Sequence, residues 1–174
     1  MPSLSRDDIL RLFESLNVEL RRVDVRGDVY VAGGAVMCLA FEARDSTRDI
    51  DALYKPSIEV REAALRVASK EGVTDQWLND AVKGYLSDKG SFNKFLELSN
   101  LRIFCADAKY MLAMKCLAMR MGEGYRDEDD IRYLLRYLEL ESHEDALKII
   151  EKYYALDSFP ATAIAALREL LPRG

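Results

Sequence analysis

The chain has 174 residues, 49% of them hydrophobic and 32% charged, which predicts one domain, or one small domain with a helical extension, around an ample core. No apolar run is long enough to cross a bilayer, and the polar N-terminus lacks the apolar segment of a secretory signal. We therefore expect neither a transmembrane segment nor a signal peptide. The formal net charge of −5 argues against non-specific binding of nucleic acid, which needs a cationic surface. It leaves room for a local basic patch.

The first half of the chain alternates predicted helices and strands. Ser5 and Asp8 have the spacing of a capping box, and apolar residues at helical spacing then predict a helix over residues 6–22. Further along we expect a strand at 29–32, a helix at 35–43, a strand at 48–54, a helix from 57 to about 70 that ends at Gly72, and a helix over 76–86. Two strands, 95–98 and 101–105, joined at Ser99 and Asn100, complete this half.

From Asp107 onward the pattern is helical. We expect helices over 108–121, 127–139, 143–154 and 161–171, with Gly122 and Gly124 separating the first two. The layout predicts an α+β fold. A small mixed sheet with helices would occupy residues 1–106, and a helical region over 107–174 would complete one compact unit.

The three cysteines indicate a reducing compartment. Cys38, Cys105 and Cys116 lie in apolar stretches without the spacing of metal ligands. An odd number of cysteines in such surroundings is typical of buried free thiols. We therefore expect free thiols and a cytoplasmic location.

The most informative stretch places a glycine pair, Gly33 and Gly34, after one strand and Asp49-Ile50-Asp51 on the next. Because side chains alternate along a strand, both aspartates are expected on one face, where they repel each other unless a cation lies between them. Mg²⁺, or Mn²⁺ in its place, prefers such oxygen ligands and also binds phosphates. The glycines would let a phosphate approach the start of a helix. This stretch predicts chemistry on a nucleoside triphosphate.

The same residues have plainer explanations. Asp-x-Asp pairs also arise by chance at strand ends, and paired glycines also serve as tight turns. Arg44, Thr47 and Arg48 are candidates for binding the triphosphate, since a guanidinium holds phosphate oxygens in a bidentate manner. An arginine there would equally well pair with Asp45 or Asp49.

Lys115 is unusual because it lies in an apolar helical stretch. An unpaired ammonium is costly to bury, so its side chain either extends to solvent or meets an anion, and we favour the anion. Asp127 and Asp130 share one face at the start of the next helix, where the helix dipole alone also explains carboxylates. His143, the single histidine, is a helix-start residue, which argues against histidine triads and zinc sites.

Weaker candidates lie between these motifs. Trp77 is a predicted core residue, and Asn79 and Asp80 are candidates for lining a cleft. Glu97 or Asp80 would be the source of a third carboxylate at the metal site.

Residues 30–35 and 44–51 resemble the signature of the nucleotidyltransferase superfamily, which has a DNA polymerase β-like fold. Within it, the resemblance is to the AbiEii-like and MenT-like minimal nucleotidyltransferases. Their signature has a Gly-Gly or Gly-Ser turn, an arginine and a threonine before an Asp-x-Asp strand, and a later lysine and aspartate. Lys115 matches that lysine, and Asp127 or Asp130 matches the aspartate. Gly34 stands where many relatives have a serine.

The resemblance implies a Mg²⁺-dependent enzyme that moves a nucleoside monophosphate from ATP or another triphosphate to a hydroxyl of RNA, a tRNA end, a protein or a small molecule. Asp49 and Asp51 would hold one or two Mg²⁺ ions, and the glycine pair would position the β- and γ-phosphates. Lys115 would contact the triphosphate, oriented by Asp127 or Asp130.

The resemblance also implies a place in a toxin–antitoxin pair, with a cognate partner protein. One competing hypothesis is a non-catalytic nucleotide-binding or antitoxin module on the same fold. Another is a structural helical protein in which Asp49 and Asp51 are accidental.

Overall fold

The structure is a computed structural model that describes residues 3–119 and 127–171. Its strands are β1 (Leu4–Ser5), β2 (Gly27–Ala32), β3 (Ser46–Thr47), β4 (Ile50–Lys55), β5 (Leu78–Asn79), β6 (Phe92–Glu97) and β7 (Leu101–Ala106). Its α-helices are α1 (Arg6–Arg22), α2 (Gly34–Leu39), α3 (Ser57–Glu71), α4 (Ala108–Leu117), α5 (Asp127–Tyr137), α6 (His143–Ile150) and α7 (Ala161–Leu170). Short 3₁₀ segments lie at Ala81–Gly84 and Leu156–Ser158. The predicted α+β class is confirmed.

The backbone forms two compact units. The first consists of the described residues up to Gly84 together with Phe92–Ala106. The second consists of Tyr85–Ser91 and the described residues from Asp107 onward. The short segment before β6 therefore groups with the C-terminal helices. Within the part of the chain that the structure describes, no helix is both long and apolar enough to span a membrane.

The first unit is built on a mixed sheet with the strand order β5-β4-β2-β7-β6. Strand β2 is antiparallel to β4 and parallel to β7, and the hairpin of β6 and β7 is antiparallel. The predicted hairpin at 95–98 and 101–105 is thereby confirmed, with its first strand beginning at Phe92 and ending at Glu97.

One face of the sheet lies against α1 and α3. A Cβ atom built at Gly27 would touch Leu20 of α1 and Val60 of α3, each at 3.0 Å. Because side chains alternate along β2, Val29 and Val31 share that face, and both are fully buried. Helix α1 begins with the predicted capping box, and α3 ends at Gly72, as predicted.

The other face of the sheet carries several side chains that are only half-buried, and one of them belongs to an aspartate of the predicted site. The Tyr30 ring stacks on the Phe104 ring of the neighbouring strand, with 4.8 Å between centroids. Ala32 at the end of β2 is paired with Asp51 on β4. Directly paired residues lie on the same side of a sheet, so Asp51 belongs to the face of Tyr30.

Several predicted elements near the site differ from the structure. The helix predicted at 35–43 ends at Leu39. The chain turns away there because Glu42 has a left-handed φ of 50° and the Ala43 N–H donates to the Met37 carbonyl. The strand predicted at 48–54 begins at Ile50, so Asp49 precedes it.

The helix predicted over 76–86 is wrong. Trp77 is fully buried, as expected, and its indole N–H donates to the Ala64 carbonyl over 2.9 Å. The Trp77 carbonyl accepts from the Ile50 N–H over 2.7 Å, which draws the segment to the edge of the sheet. Leu78–Asn79 consequently form β5, and a 3₁₀ turn replaces the rest of the helix.

A two-stranded sheet of β1 and β3 is present that the sequence did not predict. Leu4 pairs with Thr47, and Ser5 pairs with Ser46. The N-terminal segment is therefore bonded to the residues that lead into the aspartate pair.

The second unit contains α4 to α7. Helix α4 is buried on almost every side, from Tyr110 to Cys116. The helices predicted at 127–139, 143–154 and 161–171 end at Tyr137, Ile150 and Leu170. The helix predicted at 108–121 ends at Leu117; residues 120–121, Gly122 and Gly124 lie outside the described residues.

The cysteines are free and buried, as the sequence predicts. Burial raises the pKa of the Cys105 and Cys116 thiols to about 12. Both are therefore protonated at neutral pH and are poor nucleophiles.

Candidate functional site

The predicted carboxylate pair lies at one end of β4. Asp49 immediately precedes the strand, and Asp51 is its second residue. Both side chains are half-buried. Partial burial raises the pKa of Asp49, the neighbouring charge of Asp51 raises it further, and Arg48 opposes the increase. The pair is thus an unfavourable concentration of negative charge that a bound cation would relieve.

The glycine turn lies directly against Asp51. Gly33 has φ of 69° and ψ of −156°, a conformation that essentially only glycine adopts. A Cβ atom at Gly33 would lie 2.8 Å from Oδ2 of Asp51. Gly33 is therefore required twice, by its backbone conformation and by the approach of the carboxylate.

Gly34 has a comparable role toward the loop that follows α2. A Cβ atom there would collide with the Arg44 guanidinium and would lie 3.0 Å from the Thr47 hydroxyl oxygen. The Thr47 hydroxyl also donates to the Asp49 carbonyl over 3.2 Å, and Thr47 is buried. The structure thus brings Gly33, Gly34, Arg44, Thr47 and the aspartate pair together.

Two expectations about this cluster change. The glycines admit the protein's own Asp51 and Arg44 side chains, so their presence does not by itself indicate a phosphate. Helix α2 has only 6 residues, so its dipole gives little help to an anion. Phosphate affinity would have to come mainly from Arg44 and from Arg48, which is exposed and acts electrostatically on Asp49.

The residues present suit a Mg²⁺ ion that keeps several waters and shares its coordination with phosphate oxygens, because such an ion needs only one or two protein carboxylates. Across residues 3–119 and 127–171, no group of three or more His, Cys, Asp or Glu side chains could hold a metal ion. Asp80 is paired with Lys83 at 3.1 Å and Glu97 with Lys94 at 2.6 Å, so neither candidate third carboxylate is drawn into the cluster.

Asn79, a neighbour of Asp51, was predicted to lie on a helix but lies on a strand. Asn79 pairs with Asp51 in parallel register on β5. Its side-chain oxygen accepts the Ala81 N–H over 3.3 Å, which starts the 3₁₀ turn. The signal for this strand was weak, since two residues are too few to show alternation.

The second unit holds the other predicted site residues. Lys115 is 9% exposed, Asp127 7% and Asp130 4%, and these side chains form one cluster. The Lys115 ammonium lies 2.8 Å from Asp130 Oδ2 and 3.5 Å from Asp127 Oδ1. Lys115 therefore meets an anion, as favoured from the sequence, and that anion is its own pair of aspartates. Its predicted catalytic role stays a prediction.

His143 is the first residue of α6. Its Nδ1 is 3.3 Å from the Leu171 carbonyl oxygen.

Comparisons of the chain with models of known protein families, with curated proteins and with solved protein structures found no match. The nucleotidyltransferase resemblance therefore depends on the sequence motifs alone.

Proposed function

We propose that the chain is a Mg²⁺-dependent nucleotidyltransferase that moves a nucleoside monophosphate from a nucleoside triphosphate to a hydroxyl acceptor. The observation that carries this proposal is the half-buried pair of Asp49 and Asp51, whose mutual repulsion a cation would relieve. Arg44, beside the same glycine turn, supplies a charge suited to phosphate. A proposed cation ligand, Asp51, and a proposed phosphate ligand, Arg44, thus lie beside the same glycine turn.

In this reaction the acceptor hydroxyl loses its proton to solvent and its oxygen attacks the α-phosphorus. The bond from that phosphorus to the oxygen that bridges the α- and β-phosphates breaks, and pyrophosphate leaves. Asp49 and Asp51 would hold the divalent cation, which would neutralise charge on the leaving pyrophosphate and lower the pKa of the acceptor hydroxyl. Arg44 and Arg48 would bind the triphosphate oxygens. Thr47 would fix the backbone at Asp49 through the hydrogen bond that it already makes.

We propose RNA, a tRNA end or a protein side chain as the acceptor, and a toxin–antitoxin pair as the setting. Both come from the sequence resemblance. The net charge of −5 favours an acceptor that is held at a small contact surface.

The test is incubation of the purified chain with each α-³²P-labelled nucleoside triphosphate, Mg²⁺ and total cellular RNA. Label should enter RNA or protein with the wild type and with Asp75→Asn, which removes an exposed carboxylate outside the cluster. It should be lost with Asp49→Asn/Asp51→Asn. Equal labelling by the double variant would refute the proposal.

A binding-only module is the second candidate, and one observation favours it. The side chains of Asp51 and Arg44 occupy the space beside Gly33 and Gly34 through which a substrate phosphate would approach the backbone. Such a module would bind nucleotide and Mg²⁺ but transfer no label to any acceptor. Calorimetric binding by the same preparation that fails the labelling assay would identify it.

A further inference from the structure

Three consecutive N-terminal residues, Leu4, Ser5 and Arg6, contact both ends of the loop that carries Arg44 and Thr47. This loop, residues 40–47, begins after Leu39 at the end of α2 and finishes in β3. At its far end, Leu4 and Ser5 pair with Thr47 and Ser46 through β1 and β3.

The Arg6 side chain holds the near end of the loop. Its Nε–H donates to the Leu39 carbonyl over 3.3 Å, and Nε lies 3.8 Å from Glu42 Oε1. The guanidinium carbon also lies 5.9 Å from the centroid of the Phe95 ring. Leu39 is the last residue of α2, where carbonyls lack helical partners, so Arg6 satisfies one of them.

These contacts are made to a loop that contains an unusual backbone conformation. Glu42 has a left-handed φ of 50°, a conformation that a non-glycine residue keeps only when its surroundings hold it. Beyond it, the loop places Arg44 and Thr47 against Gly34, and Thr47 donates to the Asp49 carbonyl. A shift of the loop would therefore move Arg44, the proposed phosphate ligand, together with Thr47, which is bonded to the backbone of Asp49.

We propose that Arg6 is a positioning residue for the nucleotide site, acting through residues 40–47 and touching neither nucleotide nor metal. This inference rests on the proposed function. It predicts that removing the contact of Arg6 with Leu39 and Glu42 lowers the nucleotide affinity markedly but changes the unfolding temperature little. Sub-ångström misplacement of ligating groups is costly in such sites.

The test compares Arg6→Gln and Arg6→Lys with the wild type and with Arg11→Gln. Arg11 is an exposed residue of the same helix and makes an ion pair with the partly buried Asp8 at 3.2 Å, so its removal controls for losing a surface arginine. Calorimetry with the Mg²⁺ complexes of four α,β-methylene nucleoside triphosphates measures affinity. Thermal unfolding and amide hydrogen exchange of residues 40–47 measure stability and loop order.

We expect Arg6→Gln to lose about tenfold in nucleotide affinity, to speed exchange within residues 40–47, and to unfold at nearly the temperature of Arg11→Gln. Arg6→Lys, which keeps a charge for Glu42, should recover part of the affinity. Wild-type affinity in Arg6→Gln, with binding still lost in Asp51→Asn, would overturn this inference and leave the proposed function intact. A wild type that binds none of the four nucleotides would overturn both.

Discussion

The two units hold charged clusters of opposite character. In the first unit, Asp49 and Asp51 are like charges, half-buried, and the pKa of Asp49 is raised by burial and by its neighbour. In the second, Lys115 lies between Asp127 and Asp130, all three at least nine-tenths buried, with the ammonium 2.8 Å from one carboxylate. In the first cluster two carboxylates repel each other although Arg44 and Arg48 lie nearby, whereas in the second a buried ammonium lies between two carboxylates.

This difference indicates which cluster is a candidate for binding a ligand and which one stabilises the fold. A like-charge pair destabilises the chain that carries it, which makes it a candidate for binding a ligand that the chain lacks. A buried lysine with two carboxylates holds two helices, α4 and α5, in one relative position. On physical grounds the aspartate pair is the stronger candidate site.

The largest expected effect is at Lys115. Lys115→Met should lower the free energy of unfolding by about 3–5 kcal/mol, because it removes the ammonium that lies between two buried aspartates. The matched control is Lys94→Met, which removes an exposed lysine paired with Glu97 and should change little. Urea unfolding of both variants measures the difference. Equal, small losses would show that Lys115 is not a structural ion pair and would weaken the contrast between the clusters.

A smaller effect is expected at the glycine turn. Gly33→Ala should cost about 1–3 kcal/mol, since alanine rarely adopts this conformation and its Cβ would meet the Asp51 carboxylate. Gly72→Ala serves as the comparison because Gly72 also has φ of 69°, in the ordinary left-handed region, with nothing within 4 Å of a built Cβ. Chemical denaturation of the two variants isolates the contact with Asp51. A larger loss for Gly72→Ala would argue against that contact.

The smallest effect has the opposite sign. Because the pKa of Asp49 is raised above its ordinary value of 3.8, the folded chain holds this proton more tightly than the unfolded chain does. The stability that Asp49 contributes is full below pH 3.8 and is lost as the pH rises through the raised pKa. Asp49→Asn should therefore unfold at a higher temperature than the wild type at pH 7.

The advantage of Asp49→Asn should shrink as the pH falls toward 3.8, and added Mg²⁺ should shrink it at pH 7 by stabilising the wild type alone. Differential scanning fluorimetry across this pH range, with and without Mg²⁺, measures both. A variant less stable than the wild type at pH 7 would contradict the electrostatic account of this cluster.

Long periodic elements were predictable from the sequence. Helix α1 has the predicted bounds, because its capping box and apolar spacing are local signals. The hairpin of β6 and β7 was also found, since each strand has enough residues to show its pattern. Short elements were missed: β1, β3 and β5 have two residues each, and pairing with distant strands alone defines them.

The residues of the candidate site likewise include some that could be predicted from the sequence and others that could not. The aspartate pair and the glycine turn could be found because they are contiguous motifs. Lys115 could be singled out by its apolar neighbours, and the resemblance named Asp127 or Asp130 as its partner. That Lys115 lies between both aspartates depends on the packing of two helices, which the sequence does not show. The contribution of Arg6 had no sequence signal at all, because it depends on where the loop after α2 turns.

The most direct test of the central claim is calorimetric titration of the wild type, Asp51→Asn and Asp75→Asn with non-hydrolysable nucleoside triphosphates, in Mg²⁺ and again in EDTA. The account predicts Mg²⁺-dependent binding of at least one nucleotide by the wild type and by Asp75→Asn, and its loss in Asp51→Asn. Binding that persists in EDTA with equal affinity in all three proteins, or no binding by any of them, would contradict it.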